Sequence, residues 1–211
     1  MSLQLGDVAP NFRALTTIGE IDFHDFLGNS WGLLLSHPAD YTPVCTTELG
    51  RTSQLNGEFK KRNVKAIAVS VDPIDDHHKW ISDINETQNT EVDFPLIADK
   101  DRTVSLLYDM IHPNASATMT VRSVFVIDQN KKIRLTLTYP AMVGRNFNEI
   151  LRVIEALQLA DEYKVATPAD WVPGDDVIIS NAVSTEDAEE LFPGGVRVVK
   201  PYLRYTPQPN R

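Results

Sequence analysis

The only cysteine of this chain, Cys45, is the residue with the greatest capacity for chemistry. It follows Thr42 and Pro43, which have the residue types of a helix N-cap and a first-turn proline. Cys45 would then lie in the first turn of a helix, where backbone N–H groups lack intrahelical partners and the helix dipole favours an anion. The pattern therefore favours a thiol that works as a thiolate.

A reactive thiol needs more than a helix terminus. A free thiol has a pKa of about 8.5 and is only a few per cent ionised at pH 7. Lowering that pKa by about 2–3 units requires about 3–4 kcal/mol of preference for the charged form. The helix dipole supplies about 0.3–1 kcal/mol, whereas a cation about 4 Å away supplies up to about 4 kcal/mol at an effective dielectric constant of about 20. We therefore predict that an arginine from elsewhere in the chain approaches the thiol.

A purely structural cysteine is the competing interpretation, because free cysteines are among the most buried residue types. Three neighbouring features favour the reactive interpretation: a preceding strand, a loop that contains Pro38, and the Thr42-Pro43 helix start. Thr42 also lies one helical turn before the thiol, where its hydroxyl could both accept and donate a hydrogen bond.

Composition excludes several classes of protein. With 42% hydrophobic and 23% charged residues, the 211-residue chain is neither disordered nor fibrous, and its net charge of −9 disfavours a nucleic-acid partner. One cysteine permits neither an internal disulfide nor a multi-thiolate metal site. No signal peptide or membrane-spanning run is evident, so we expect a cytoplasmic protein. No cofactor and no metal site are predicted, because His77 and His78 point in different directions on a helix.

The elements that must position the thiol alternate along residues 1–160, which we predict to form one domain. Predicted strands are Gly32–Ser36, Val64–Val71, Val121–Asp128 and Ile133–Tyr139, the last two forming a hairpin. Predicted helices are Pro43–Arg62, Ile74–Thr87, Arg102–Tyr108 and Asn146–Leu159. This order predicts an α/β protein with a thioredoxin-like fold, in which helices flank a mixed central sheet.

The composition changes near residue 160, since residues 161–211 hold six of the 13 prolines. We predict a small C-terminal α+β extension there, with one short helix at Thr185–Phe192 and extended pieces at Val196–Val199 and Tyr202–Tyr205.

Pro38-x-x-x-Thr42-x-x-Cys45 resembles the active-site signature of the peroxiredoxins. The surrounding residues 36–51 are similar to the one-cysteine class, of the peroxiredoxin 6 type. Three later segments are similar to that class as well: Tyr139–Phe147, Val165–Trp171 and Tyr202–Pro209. The resemblance therefore spans nearly the whole chain.

The resemblance implies that Cys45 attacks the terminal oxygen of hydrogen peroxide or of an organic hydroperoxide, including phospholipid hydroperoxides, and becomes a sulfenic acid. Thr42 would orient the peroxide, and Pro38 would shield the thiol from water. Arg122 would be the required cation, with Arg145 as a second candidate; an ordinary surface ion pair is the alternative for each. Other residues expected to line the pocket or support it are His37, Pro43, Val44 and Glu48; for His37, simple packing is the alternative.

No second cysteine is present to reduce the sulfenic acid, so an external thiol or another small reductant must complete the cycle. In relatives this is glutathione delivered by a transferase. The resemblance also implies a homodimer formed through the tail, with assembly into a ring left open. Three tail aromatics need a surface to bury them: Trp171, Tyr202 and Tyr205.

Two other functions stay open. The first is a redox-inactive thioredoxin-like interaction module with an inert Cys45. The second is a serine hydrolase, because Gly28-Asn-Ser30-Trp-Gly32 matches the G-x-S-x-G pattern. A strand rather than a helix follows Ser30, which disagrees with the esterase geometry.

The resembled class has nonetheless been assigned a phospholipase A type activity that uses a serine, a histidine and an aspartate. Ser30 and His24 match the first two positions. Asn130 stands at the third, and its amide cannot serve as the anionic partner; Asp128 is the nearest substitute. The sequence therefore disfavours this activity.

Overall fold

The computed structural model describes residues 3–210. The chain divides into two compact units, one ending at Phe147 and the other beginning at Asn148. This division falls earlier than the domain boundary that we placed near residue 160, because the last long helix belongs with the C-terminal unit.

A seven-stranded mixed sheet forms the centre of the first unit. Its strands are β1 (Arg13–Thr16), β2 (Gly19–Asp22), β3 (Trp31–Ser36), β4 (Val64–Ser70), β5 (Leu96–Ala98), β6 (Arg122–Ile127) and β7 (Ile133–Tyr139), in the spatial order β2-β1-β5-β4-β3-β6-β7. Its helices are α1 (Phe23–Leu27), α2 (Pro43–Lys61), α3 (Ile74–Gln88) and α4 (Thr103–Leu107). The predicted thioredoxin-like α/β fold is confirmed.

Strand β3 is buried at every position, as expected for a central strand that is covered on both faces. It runs parallel to β4 and antiparallel to β6, with Leu35 opposite Val124. Because β3 and β6 run in opposite directions, the end of β3 lies beside the beginning of β6. The sheet therefore brings the loop before α2 next to Arg122.

The structure confirms all four predicted strands of this unit and the β6–β7 hairpin, with boundaries within one or two residues. Four further elements of this unit were not predicted from the sequence: β1, β2, α1 and β5. These elements are three to five residues long, too short for hydrophobic periodicity to indicate them.

The second unit consists of α5 (Phe147–Glu162), β8 (Val165–Ala166), β9 (Val177–Ile179), α6 (Thr185–Leu191), β10 (Arg197–Lys200) and β11 (Leu203–Thr206). Its four-stranded sheet has the order β10-β11-β9-β8. Trp171 is only 1% exposed and packs in the core of this unit, so it needs no partner to bury it, in contrast to our expectation. Tyr202 remains 67% exposed.

Among residues 3–210, no helix has the length and apolar character that crossing a membrane requires.

Two glycines of α2 provide a test of how closely this helix packs on α3. A β-carbon added at Gly50 would lie 2.5 Å from Cβ of Gln88, whereas one added at Gly57 would meet nothing within 4 Å. We predict that Gly57→Ala raises the free energy of unfolding by about 0.5–1 kcal/mol, because alanine is the better helix former. Gly50→Ala should lower it, because Gln88 must move. Denaturant unfolding of both variants checks this; equal gains would contradict the packing.

Candidate active site

The thiol of Cys45 is fully buried and in contact with a guanidinium group. Arg122 Nη1 lies 3.3 Å from Cys45 Sγ, within hydrogen-bond distance for sulfur. The two residues are 77 positions apart in the chain, and the sheet described above brings them together. An arginine from a distant segment therefore stands where the sequence analysis required a cation.

Arg122 is held in place by two further acceptors. Nη1 also donates to Glu48 Oε2 at 2.8 Å, and Nε donates to the carbonyl of Ala141 at 2.9 Å, a carbonyl that Nη2 shares. Glu48 lies on α2, three residues after Cys45, so the helix itself places the carboxylate beside the thiol. The guanidinium of Arg122, only 2% exposed as a residue, has little freedom to turn away from the sulfur.

Arg145 is buried as well, which excludes the surface ion pair considered for it. Its backbone N–H and Nε donate to Glu48 Oε1 at 2.7 and 3.0 Å, and Nη2 donates to Oε2 at 2.7 Å. Nη1 donates to the carbonyls of Ser36 and Ser123, each at 2.9 Å. Arg145 therefore reaches the thiol only indirectly, by fixing Glu48 and the ends of β3 and β6.

The side chains of Arg122, Arg145 and Glu48 form a buried cluster whose charges do not cancel. Burial raises the pKa of Glu48, but the charge and hydrogen bonds of Arg145, together with the charge of Arg122, hold it below its usual range. Glu48 is therefore ionised at neutral pH, and two guanidinium groups face one carboxylate. The three side chains therefore carry one positive charge in excess, and Arg122 places that excess 3.3 Å from Cys45 Sγ.

Thr42 begins α2 with extended backbone angles, φ −109° and ψ 144°, as an N-cap residue should. Its hydroxyl does not cap the helix but donates to the carbonyl of Ala39 at 2.9 Å. The lone pairs of Oγ1 therefore remain available to accept a hydrogen bond from a ligand. The first bond of the helix runs from Thr46 N to Thr42 O, so the N–H groups of Val44 and Cys45 have no intrahelical partner.

The other predicted pocket residues differ in exposure. Pro38 is buried in the loop between β3 and α2, whereas Pro43 is exposed. Val44 is half-buried and lies near Gly144, in the segment that carries Arg145; a β-carbon on that glycine would be 3.5 Å from Val44 Cγ1. The geometry thus leaves the shielding role of Pro38 and the pocket roles of Pro43 and Val44 as predictions.

His37 is fully buried, and its Nε2 donates to Asp40 Oδ1 at 2.9 Å. Burial lowers its pKa, so the ring is neutral near pH 7. Asp40 was not predicted as the partner of His37, although the three-residue spacing could have suggested it. The contact of His77, on α3, with the other carboxylate oxygen of Asp40 was not predicted either.

His37, Asp40 and Asp72 approach one another closely enough to share a cation, with potential ligand atoms within 4.8 Å. These atoms already bond to protein groups: Asp40 to the two histidines, and Asp72 Oδ2 to the Ser70 hydroxyl and the Asp40 N–H. The two carboxylates are therefore satisfied by protein groups, whereas Nδ1 of His37 has no hydrogen-bond partner among the described residues.

The residues of the possible hydrolase site do not form a catalytic triad within residues 3–210. The Ser30 hydroxyl donates to Asn63 Oδ1 at 2.7 Å, and His24 Nε2 donates to the carbonyl of Ala9 at 2.8 Å. Asp128 accepts hydrogen bonds from the backbone N–H groups of Asn130 and Lys132. In the part of the chain that the structure describes, the Ser30 hydroxyl bonds to an amide oxygen rather than to a base, so the structure gives no support to a serine hydrolase.

Fold and site together define the class of protein: a thioredoxin-like α/β protein that presents a helix-terminal thiol to an arginine. Comparison with known families agrees with this. Residues 5–136 match the AhpC/TSA family, and residues 156–195 match the C-terminal domain of 1-Cys peroxiredoxin. The chain belongs to the AhpC/TSA family and, within it, to the one-cysteine peroxiredoxins, which are thiol peroxidases.

Individual relatives support the same assignment. The 1-Cys peroxiredoxin of Dictyostelium discoideum is 56% identical over 209 residues, which are 99% of this chain and 87% of that protein. A crystal structure of a cysteine-to-serine mutant of peroxiredoxin 6 from Arenicola marina matches with a TM-score of 0.93 and 50% identity, covering 100% of both chains. A structure of the yeast mitochondrial 1-Cys peroxiredoxin matches with a TM-score of 0.91 and 53% identity, covering 97% of this chain and 99% of that one.

The charge balance at Cys45 predicts the effect of removing one guanidinium. In Arg122→Leu, Glu48 and Arg145 neutralise each other, and only the weak effect of the helix N-terminus still favours the thiolate. The pH midpoint for alkylation of Cys45 should then rise by about one to three units, given that a neighbouring cation is worth up to about 4 kcal/mol. Measuring alkylation rate against pH checks this. Arg13→Leu, which alters an exposed arginine, is the control; an unchanged midpoint in Arg122→Leu would contradict the role of Arg122.

Proposed function

We propose that the thiolate of Cys45 attacks the terminal oxygen of hydrogen peroxide or of an organic hydroperoxide. A sulfur–oxygen bond forms as the oxygen–oxygen bond breaks, and the departing oxygen takes a proton to leave as water or an alcohol. Sulfur is oxidised by two electrons to the sulfenic acid, and the peroxide is reduced by two. The observation that carries this proposal is the contact of 3.3 Å between Arg122 Nη1 and Cys45 Sγ inside a cluster with excess positive charge.

Thr42 orients the peroxide in this reaction. Because its hydroxyl hydrogen is engaged by Ala39, Oγ1 acts as an acceptor for the O–H of the incoming peroxide. Arg122 stabilises the negative charge that moves from sulfur to the departing oxygen, since a preorganised cation in a buried site requires no reorganisation. Pro38, buried in the same loop, keeps water away from the thiolate.

Peroxide consumption by defined variants tests this function. Cys45→Ser should abolish the reaction, because a neutral hydroxyl cannot replace the thiolate, whereas Ser30→Ala should leave it intact. Intact-mass measurement after one equivalent of peroxide should show one added oxygen in wild type and in Ser30→Ala, and none in Cys45→Ser. Activity that survives Cys45→Ser would contradict the proposal, and so would loss of activity in Ser30→Ala.

The sulfenic acid requires a reductant from outside the chain, because no second cysteine exists. The yeast mitochondrial relative is described as resolving its thiol through glutathione and thioredoxin systems. For this protein we propose glutathione, delivered by a transferase. Adding glutathione with and without a transferase to the oxidised protein tests this by the return of free thiol. Recovery only with a thioredoxin system would contradict it.

A homodimer formed through the second unit is a further part of the proposal. Strand β10, at the edge of the four-stranded sheet, is exposed at every position, with Val198 53% and Val199 47% exposed. The two valines lie between Arg197 and Lys200, and the unpaired backbone of an edge strand can pair with another chain. Sedimentation velocity should show a dimer in wild type and weaker association in Val198→Lys; a wild-type monomer would contradict the proposal, and a ring would appear as a larger species.

Cytoplasmic location completes the proposal, because a one-cysteine enzyme depends on the reduced thiols that this compartment maintains. Subcellular fractionation tests it, and recovery in mitochondria would contradict it.

A further inference from the structure

A histidine outside the peroxide pocket makes two hydrogen bonds that determine its protonation. His77, on α3, is fully buried. Its Nε2 lies 3.1 Å from the carbonyl oxygen of Ile97, and its Nδ1 lies 2.6 Å from Asp40 Oδ2. Because a carbonyl oxygen only accepts, Nε2 must carry a hydrogen.

A neutral His77 with its hydrogen on Nε2 would turn a lone pair toward Asp40. Two acceptors at 2.6 Å repel each other unless one carries a proton. Burial raises the pKa of Asp40, but its hydrogen bonds to His37 and His77 hold it below the ordinary value. Burial lowers the pKa of His77, yet its hydrogen bond to Asp40 and the charge of that carboxylate raise it above the ordinary value. The proton therefore belongs to His77, which is an imidazolium.

The groups around this imidazolium come from three other segments. The loop before α2 contributes Asp40 and the neutral ring of His37, and the segment after β4 contributes Asp72. Strand β5 contributes the carbonyl of Ile97. Among the residues that the structure describes, His37 Nδ1 has no hydrogen-bond partner, which fits a ring whose only hydrogen is on Nε2. His77 is thus the cation that faces two carboxylates.

Asp40 lies in the loop before α2, next to a residue with a strained backbone conformation. The next residue, Tyr41, has φ 55°, a left-handed conformation that is strained for a non-glycine residue. Thr42 follows directly. Asp40 is fixed on two sides, by its side chain to His77 and by its backbone N–H to Asp72 Oδ2 at 3.0 Å. These anchors offset the strain immediately before the residue that orients the peroxide.

We propose that His77 is a positioning residue whose imidazolium holds Asp40 and, through it, keeps Thr42 at its place beside the thiol. A neutral ring keeps one hydrogen, so deprotonation of His77 would leave either Asp40 or the Ile97 carbonyl facing a nitrogen lone pair and would weaken the hold on the loop. Because the pKa of His77 is raised in the folded protein, this anchor is present below the ordinary pKa of about 6.5 and is lost as the pH rises through the folded value. The rate of peroxide reduction should therefore fall on the alkaline side.

Two substitutions separate the two hydrogen bonds of His77, and both remove its charge. In His77→Asn, the amide nitrogen replaces Nδ1 and donates to Asp40 at every pH. In His77→Gln, the amide nitrogen replaces Nε2 and retains the Ile97 bond but not the Asp40 bond. The rate constant of Cys45 with hydrogen peroxide, measured by stopped flow across pH, is the readout, and thermal unfolding of each variant is measured alongside.

We expect His77→Asn to retain most of the wild-type rate at pH 7 and to lack the alkaline fall. His77→Gln should lose about tenfold in rate, the equivalent of about 1.4 kcal/mol in the barrier. A merely structural histidine would lower the melting temperature in both variants and leave the wild-type and His77→Asn pH profiles parallel. Parallel profiles, or equal rates in the two variants, would overturn the proposal.

If His77→Gln fails to unfold cooperatively, the comparison of wild type with His77→Asn still decides the question. The inference rests on the proposed role of Cys45, whose failure has a different signature. In that case wild type itself would consume no peroxide, or Cys45→Ser would retain the reaction, whatever residue stands at position 77.

Discussion

Everything in this structure depends on one electrostatic constraint: a buried sulfur lies against a buried guanidinium. The contact between Arg122 and Cys45 would be costly if both groups were simply removed from water. Glu48 makes the arrangement tolerable by pairing with Arg122 and Arg145, and the cluster that results has one positive charge in excess. That excess lies against Cys45 Sγ, where the proposed reaction requires negative charge.

The sheet determines whether this cluster can form. Cys45 and Glu48 are on one helix, but Arg122 begins β6 and Arg145 follows β7. The two guanidinium groups therefore reach that helix only when β3 and β6 pair antiparallel. Arg145 binds the carbonyls of Ser36 and Ser123 and thereby ties the ends of these two strands to the carboxylate. On the other side of the loop, His77 and Asp72 hold Asp40. The site is thus fixed by distant strands and helices, while its chemistry resides in one helical turn.

The sequence predicted what depends on local pattern. The start of α2 at Thr42-Pro43, the buried strands and the β6–β7 hairpin follow from residue types and periodicity. The need for a cation followed from the energetics of the thiol, although only the family resemblance pointed to Arg122. Contacts between residues far apart in the chain were not predicted. The Asp40–His77 pair joins residues 37 positions apart, and no local pattern indicates such pairing. Trp171 shows the same limit, since an aromatic residue in a proline-rich tail gives no sign of whether it packs within its own unit or on a partner.

The ionisation state of Cys45 at neutral pH is the most direct test of this account. Ultraviolet absorption reports thiolate, and subtracting the spectrum of Cys45→Ser isolates this sulfur from the tyrosines and tryptophans. We predict that most of the thiolate absorption is already present at pH 7. Absorption that develops only near pH 8.5, where an ordinary thiol ionises, would show that the guanidinium does not stabilise the thiolate. That result would contradict the mechanism.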